Sequence, residues 1–229
     1  GLKKDDIVWT VPNTFAASAN CAINCGAKID FVDINNETWN ISIDQLEKKL
    51  KSAKVKKKLP KILIPVHFAG LPTDQKRIWQ LSKKYNFRII EDASHSIGAK
   101  YFNQPVGSCK WSDITIFSFH PTKIITTAEG GMALTNDKEL RRKMKMYATN
   151  GITKEYNFFK FKKNSKPWYY EQHFSGFNYR MSDVSAALGL SQIKKLKKFI
   201  SKRNKIAKMY NKFLKSIPIK SQKISKGLN

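Results

Sequence analysis

The sequence predicts an α/β fold built on a mostly parallel sheet, and three observations predict it. Short apolar runs of strand length alternate with longer stretches in which apolar residues recur at helical spacing. Proline, glycine and capping residues stand at the joins between them. The chain has 229 residues, 41% of them hydrophobic and 26% charged, enough for one large domain, or one domain with part of a second.

In chain order, Asp6–Val11 reads as a strand that Pro12, Asn13 and Thr14 end. Phe15–Cys25 is rich in small residues and reads as a helix stopped at Gly26. A second strand follows at Lys28–Val32, and Ser42 with Gln45 has the spacing of a capping box, opening a helix toward Leu50. The run KSAKVKKK is a solvated helix end and loop. Ile62–Val66 is a third strand, His67 to Pro72 a loop, and Asp74–Tyr85 a helix by its period. Phe87–Ile90, Ile114–Phe117 and Gly131–Thr135 are further short strands. Residues 154–176 are aromatic and lysine-rich without period, an irregular excursion. Ser182 can cap a helix starting near Asp183, and apolar residues from Leu188 to Ile217 continue one long helical stripe with lysines outward.

The formal charge is +26, from 43 Lys+Arg and 17 Asp+Glu. Residues 191–229 hold 13 of the basic residues and no acid, so half the excess sits in the last stretch. Most of it is lysine, with few guanidiniums to fork onto bases and no nucleic-acid reading motif, so nucleic acid is not the expected partner. No apolar run approaches the ~20 residues that span a bilayer, and no signal-peptide pattern opens the chain. Cys21, Cys25 and Cys109 form no even framework and read as buried free thiols of a reducing cytoplasm. His67, His95, His120 and His173 have no zinc-site spacing.

In open α/β sheets, ligands bind beyond the carboxyl ends of the strands, so the residues after each strand are the candidates. Asn13-Thr14-Phe15 follow the first strand, and Glu91-Asp92-Ala93-Ser94-His95 follow the fourth. Ser118 to Lys123, then Thr126 to Gly131, follow Phe117. These supply an aromatic face, a carboxylate, hydroxyls, a lysine and a glycine turn. Pyridoxal phosphate needs that set: a lysine for its aldehyde, a carboxylate to keep its pyridine nitrogen protonated, donors for its phosphate, and a flat contact for its ring.

SFHPTKIITTAEGGMALTN, preceded by EDASHSIGA and PNTFAASAN, resembles the DegT/DnrJ/EryC1/StrS sugar-aminotransferase branch of the fold-type I pyridoxal-phosphate enzymes over residues 6 to 215. PWYYEQ, GFNYRMSD and ALGLSQIKKLKKFI look most like its pseudaminic-acid pathway subgroup. The resemblance implies a three-layer α/β/α large domain like that of aspartate aminotransferase. It also implies transfer of an amino group from glutamate to the C4 ketone of a UDP-linked 4-keto-6-deoxy-N-acetylamino sugar, in a cytoplasmic homodimer.

Position by position, the resemblance makes Lys123 the Schiff-base lysine and proton carrier, and pairs Asp92 with the pyridine nitrogen. It sets His95 beside the ring hydroxyl and Phe15 over the ring face. It puts Ser118 on the phosphate, and Asn178 on the phosphate of a second copy, so that the site is shared. Without it, Lys123 is one more surface lysine and Asp92 a helix N-cap. His95 is then a packed histidine, Phe15 a buried helix phenylalanine, and Ser118 and Asn178 turn residues. His120, Thr127 and Glu129 border the same pocket.

The sequence departs from the family pattern where Ala128 precedes EGG in place of glycine and Asn150 stands where a histidine is common. Relatives that dehydrate carry histidine at the lysine position, and Lys123 argues against that chemistry. The family's upstream phosphate-gripping turn and its small C-terminal domain are not in the sequence. The expectation is therefore a central piece of a longer enzyme. Residues 1–190 would be part of the large cofactor-binding domain, and 191–229 a basic linking helix and tail. The other readings are a sister nucleotide-sugar aminotransferase with a different sugar or ring carbon, and a basic nucleic-acid-binding protein resting on residues 191–229.

Overall fold

The computed structural model describes residues 1–162, 166–224 and 227. In chain order the elements are Ile7–Thr10 (β1), Ala17–Ile23 (α1), Lys28–Phe31 (β2), Ile43–Val55 (α2), Ile62–Leu63 (β3), Gln75–Tyr85 (α3) and Arg88–Asp92 (β4). Next come Lys100–Tyr101 (β5), Gln104–Pro105 (β6), Ile114–Ser118 (β7), Gly131–Leu134 (β8), Lys138–Ala148 (α4) and Ile152–Thr153 (β9). Glu171–Gln172 (β10), Asp183–Ile193 (α5) and Leu196–Phe213 (α6) complete them. Six strands form the central sheet in the order β2-β1-β3-β4-β7-β8, parallel except for the β7–β8 pair.

Strand residues alternate between the two faces, and the burial follows. Trp9, Leu63 and Ile89 pack with Leu46 and Leu50 of α2 and Ile78 and Leu81 of α3. On the other face Val8 and Ile64 pack with Ala22 of α1. Helices therefore cover both faces, the three layers expected. Each fully buried Leu or Ile here contributes about 1.5–3 kcal/mol. A third cluster, Ala93, Val106, Phe117, Phe119 and Ile125, receives Leu196 and Phe199 from α6.

The helix starts follow local chemistry. Ser42 accepts the Gln45 N–H, Asp74 that of Arg77 and Ser182 that of Ser185, each satisfying a first-turn donor. The expected caps at Ser42 and Ser182 are thus present.

The structure corrects the sequence reading at several elements. β4 runs through Asp92, so this carboxylate is the last residue of a strand and not the second residue of a loop. The third strand keeps only two residues of the expected five, since Pro65 has no N–H for a ladder; Val66 still bridges Asp92. The expected single helix from Asp183 is two, parted at Lys194 and Lys195 where Leu196 turns into the third cluster. Helix α4 and the β5–β6 hairpin were not expected. The excursion over 154–176 holds β10 and a short 3-10 turn, Tyr156–Phe158; its residues 163–165 lie outside the described residues, as do 225, 226, 228 and 229 of the basic tail. No helix among the described residues is long and apolar enough to cross a membrane.

Candidate active site

The central parallel strands end at one edge, and the predicted site residues gather where β4 and β7 lie side by side, with Asp92 paired in register with Ile116. Asp92 is partly buried. Its Oδ2 accepts the Ser18 hydroxyl at 2.6 Å and its Oδ1 accepts the Ser94 N–H at 3.1 Å. The Ser18 hydroxyl lies 2.9 Å from that of Thr14. Charge-assisted bonds of this kind fix the carboxylate's rotamer.

A buried polar layer adjoins Asp92. Glu91, 2% exposed, accepts Gln75 Nε2 at 2.6 Å, Thr115 Oγ1 at 2.7 Å and Ser112 Oγ at 3.0 Å. His67 is fully buried, its Nε2 3.7 Å from Glu91, and its Nδ1 accepts the Thr73 N–H at 3.1 Å. Burial pushes the His67 pKa down, against the pull of Glu91 and Asp92, so the ring is neutral.

Beyond β7 the chain turns through Ser118 and Phe119 into a compact loop. Phe119 donates its N–H to Gly130, Thr127 donates to Phe119, and Lys123 donates to His120. A Cβ on Gly130 would collide with the Thr127 hydroxyl, and one on Gly131 would sit 2.8 Å from the Phe117 carbonyl oxygen. The EGG turn is therefore set by close packing. Ala128 sits at φ +65°, the left-handed conformation that the missing glycine would have adopted freely. His120 Nδ1 lies 3.0 Å from Thr122 Oγ1, its Nε2 3.9 Å from Glu129, and Thr127 donates its hydroxyl to the Glu129 carbonyl.

Lys123 is partly buried and lines a cleft with His95. The His95 pKa is lowered, first by burial and then by the Lys123 ammonium, while Asp92 pulls the other way. Lys123 and His95 share that cleft, and Asp92 ends β4 three residues before His95, beside the strand that leads to Lys123. Ser118 lies at the end of the neighbouring strand. Phe15 precedes α1 on the same side, its carbonyl accepting the Ser18 N–H, but its ring is 80% exposed and not the buried helix residue that periodicity suggests. Asn178 is exposed and bridges Thr149; within one chain it does not join the set.

Ser18, His67 and Glu91 were missed by the sequence reading. Ser18, four residues after Thr14, carried only the weak signal of two hydroxyls at helical spacing. The cysteines are free, but only Cys109 is buried; Cys21 and Cys25 are exposed because α1 buries only Ser18 and Ala22. Among the described residues no group of three or more His, Cys, Asp or Glu is arranged to hold a metal ion.

Fold and site together define the class: an α/β transferase that presents an amine and a carboxylate from neighbouring strand ends of a parallel sheet. The chain belongs to the DegT/DnrJ/EryC1/StrS aminotransferase family, which matches it over residues 1–227. It is 42% identical to a UDP-4-amino-4,6-dideoxy-N-acetyl-beta-L-altrosamine transaminase of Campylobacter jejuni, over 97% of this chain and 56% of that protein. A Helicobacter pylori aminotransferase involved in pseudoaminic acid biosynthesis superposes with a TM-score of 0.82 at 32% identity, over 95% of this chain and 54% of the other. A putative sugar aminotransferase from Streptococcus pneumoniae superposes in its PLP form with a TM-score of 0.76 at 27% identity, covering 93% and 55%, and also has a PMP form. The chain spans about half the length of the curated relatives it matches. The family's cofactor is pyridoxal phosphate, and the residue types here fit it: a carboxylate held by two donors ends one strand, and an amine and an imidazole line the cleft that follows it and its neighbour.

Proposed function

We propose that this chain supplies the cofactor-binding half of a pyridoxal-phosphate aminotransferase. It would act in the cytoplasm on glutamate and the C4 ketone of a UDP-linked 4-keto-6-deoxy-N-acetylamino sugar, in pseudaminic acid synthesis. The observation that carries the proposal is the gathering of Asp92, His95 and Lys123 at one sheet edge. The 42% identity to the Campylobacter transaminase supports the choice of sugar.

When bound, pyridoxal phosphate supplies an aldehyde for amine exchange and a ring that accepts electrons from the substrate carbon. Lys123 Nζ would hold the aldehyde and, once displaced by the donor amine, remove and return the proton at the substrate carbon. The Asp92 carboxylate would keep the pyridine nitrogen protonated, and Ser18 holds that carboxylate in place. His95, exposed but held below its usual pKa first by partial desolvation and then by Lys123, would offer a ring nitrogen to the cofactor's hydroxyl side. Ser118 would bind the phosphate and Phe15 cover the ring.

Asn178 would complete the phosphate site of a second copy, which makes the enzyme a homodimer. The exposed Phe177, Tyr179 and Val184 beside it are the apolar surface such an interface would bury. Residues 1–190 then form the cofactor-binding unit and residues 191–229 the linking helix and tail.

The test is a coupled glutamate assay with UDP-linked 4-keto sugars, alongside GDP- and dTDP-linked ones. The protein should take up pyridoxal phosphate and turn yellow, and the UDP-linked 4-keto sugar should be the preferred acceptor. Lys123→Ala should lose turnover. Turnover retained in that variant refutes the assignment, and preference for another acceptor refutes the sugar.

A further inference from the structure

The cleft that holds Lys123 and His95 has one wall made by a loop. Ala69, Gly70, Leu71 and Pro72 line it, in the stretch between β3 and α3. That loop is strained. Ala69 and Gly70 sit in succession at φ +52° and +92°, in the left-handed region where a residue with a Cβ is disfavoured. Such strain persists where the surroundings over-determine it, and it gathers at functional sites. The loop is also pressed onto the site: a Cβ on Gly70 would lie 2.9 Å from the His95 carbonyl oxygen.

Two buried side chains hold the loop in that shape. Asn40 accepts the Phe68 N–H at 2.9 Å and donates to the carbonyls of Leu71 at 3.0 Å and Pro72 at 3.2 Å. His67 holds the two ends. Its main-chain N–H donates to the Asp92 carbonyl at 3.0 Å, so the loop starts tied to the residue that ends β4. Its Nδ1 accepts the Thr73 N–H at 3.1 Å and closes the loop. A neutral ring that accepts at Nδ1 carries its proton on Nε2, and that nitrogen faces the buried Glu91 carboxylate at 3.7 Å. Glu91 is itself fixed by Gln75, Ser112 and Thr115. The polar layer thus selects the tautomer, and with it the acceptor that Thr73 needs.

We infer that His67 is a positioning residue for the reaction: by closing the loop over 68–73 it presses Gly70 onto the His95 main chain and so sets where the His95 ring stands beside Lys123. The inference rests on the aminotransferase reading for the use made of His95. The path runs from Glu91 to His67, from His67 to Thr73, and through the loop from Gly70 to His95. His67, wholly buried, is out of reach of any ligand in the cleft.

The test follows the His95 ring by NMR across pH in the full chain, first without pyridoxal phosphate; its signal is the one that His95→Gln removes. In the wild type it should titrate below the ordinary 6.5, where desolvation and then the Lys123 ammonium hold it against the pull of Asp92. His67→Leu removes the acceptor for Thr73 and lets the wall retreat. The His95 titration should then rise toward 6.5, and in the protein loaded with pyridoxal phosphate kcat should fall about tenfold or more. His67→Asn, whose side-chain oxygen can stand in for Nδ1, should restore both. Gly70→Ala pushes at the other end of the same path without touching the buried layer. It should move the same titration, and it decides where His67→Leu does not fold. A melting temperature that falls while His95 titrates as in the wild type marks a merely structural histidine and overturns the inference. An unchanged kcat in a variant whose titration has moved overturns it as well, and so does a His67→Asn that restores nothing. Failure of the wild type to take up pyridoxal phosphate is a different result: it defeats the aminotransferase reading and leaves the cofactor-free titration to decide whether His67 sets His95.

Discussion

Asp92 is held by two donors, and the Ser18 hydroxyl at 2.6 Å is the shorter contact. A hydrogen bond to a charged group is worth about 1.5–3 kcal/mol, enough to decide which way a carboxylate points. The Ser18 hydroxyl bonds the Asp92 carboxylate and lies against that of Thr14, so its part is positioning. We expect Ser18→Ala to lower kcat roughly tenfold with little change in KM for glutamate, because the carboxylate is freed but not removed. The pH at which the bound cofactor's absorbance titrates should move as well, and Ser18→Thr should restore both. Wild-type kcat and titration in Ser18→Ala would show that the bond has no functional weight. Ala128 illustrates a second constraint at this scale. Its left-handed conformation costs a residue with a Cβ about 1–2 kcal/mol, and the turn around it persists because Gly130, Gly131 and Thr127 over-determine it. The missing glycine was legible in the sequence, but the left-handed conformation that Ala128 adopts in its place was not. The bond from Ser18 to Asp92 was not, since 74 residues separate its partners.

At the scale of elements, capping and packing divide the decisions. Helix α4 begins at Asp137, whose Oδ1 accepts the N–H groups of Glu139 and Leu140 at 2.8 and 3.0 Å. Asp137→Ala should cost about 1 kcal/mol and lower the melting temperature by a few degrees, measured by circular dichroism. An unchanged melting temperature would show that packing of Met146 alone holds the helix. The excursion between α4 and α5 has its own anchor in Glu171, which is 7% exposed. Burial pushes its carboxyl up, but the N–H groups of Lys160 and Phe161, with His173 and Tyr169, outweigh it and bring it to about 2. Without such donors a buried carboxylate would not stay charged. The break between α5 and α6 is decided differently. Helical periodicity continues through Lys194 and Lys195, and only the cluster around Phe117 and Phe119 draws Leu196 and Phe199 out of line.

Over the whole molecule, the buried layer beneath the site makes stability depend on pH. His67 is neutral in the folded protein, and its pKa there is below the ordinary 6.5. As pH falls below about 6.5 the unfolded chain takes up the proton first, so stability present above that pH is lost as the pKa of the folded state is approached. His95, lowered too, acts in the same direction. The urea midpoint should therefore fall between pH 7 and pH 5.5, with His67, the fully buried one, losing up to about 1.4 kcal/mol of stability per pH unit, and His67→Gln should flatten the slope. A midpoint independent of pH over this range would contradict a neutral buried His67. The amino-acid sequence by itself determined the class of fold, the order of most strands and helices and the residues worth watching at the strand ends. Periodicity, caps and turn residues are local, and local chemistry is written along the chain. Only the tertiary structure decided that Ser18 holds Asp92, that Glu91 and His67 share a sealed polar layer, and that the loop closed by His67 is pressed against His95. Those relations join residues from distant parts of the chain, and burial and hydrogen-bond demand settle them only when the sheet and its helices have closed around them.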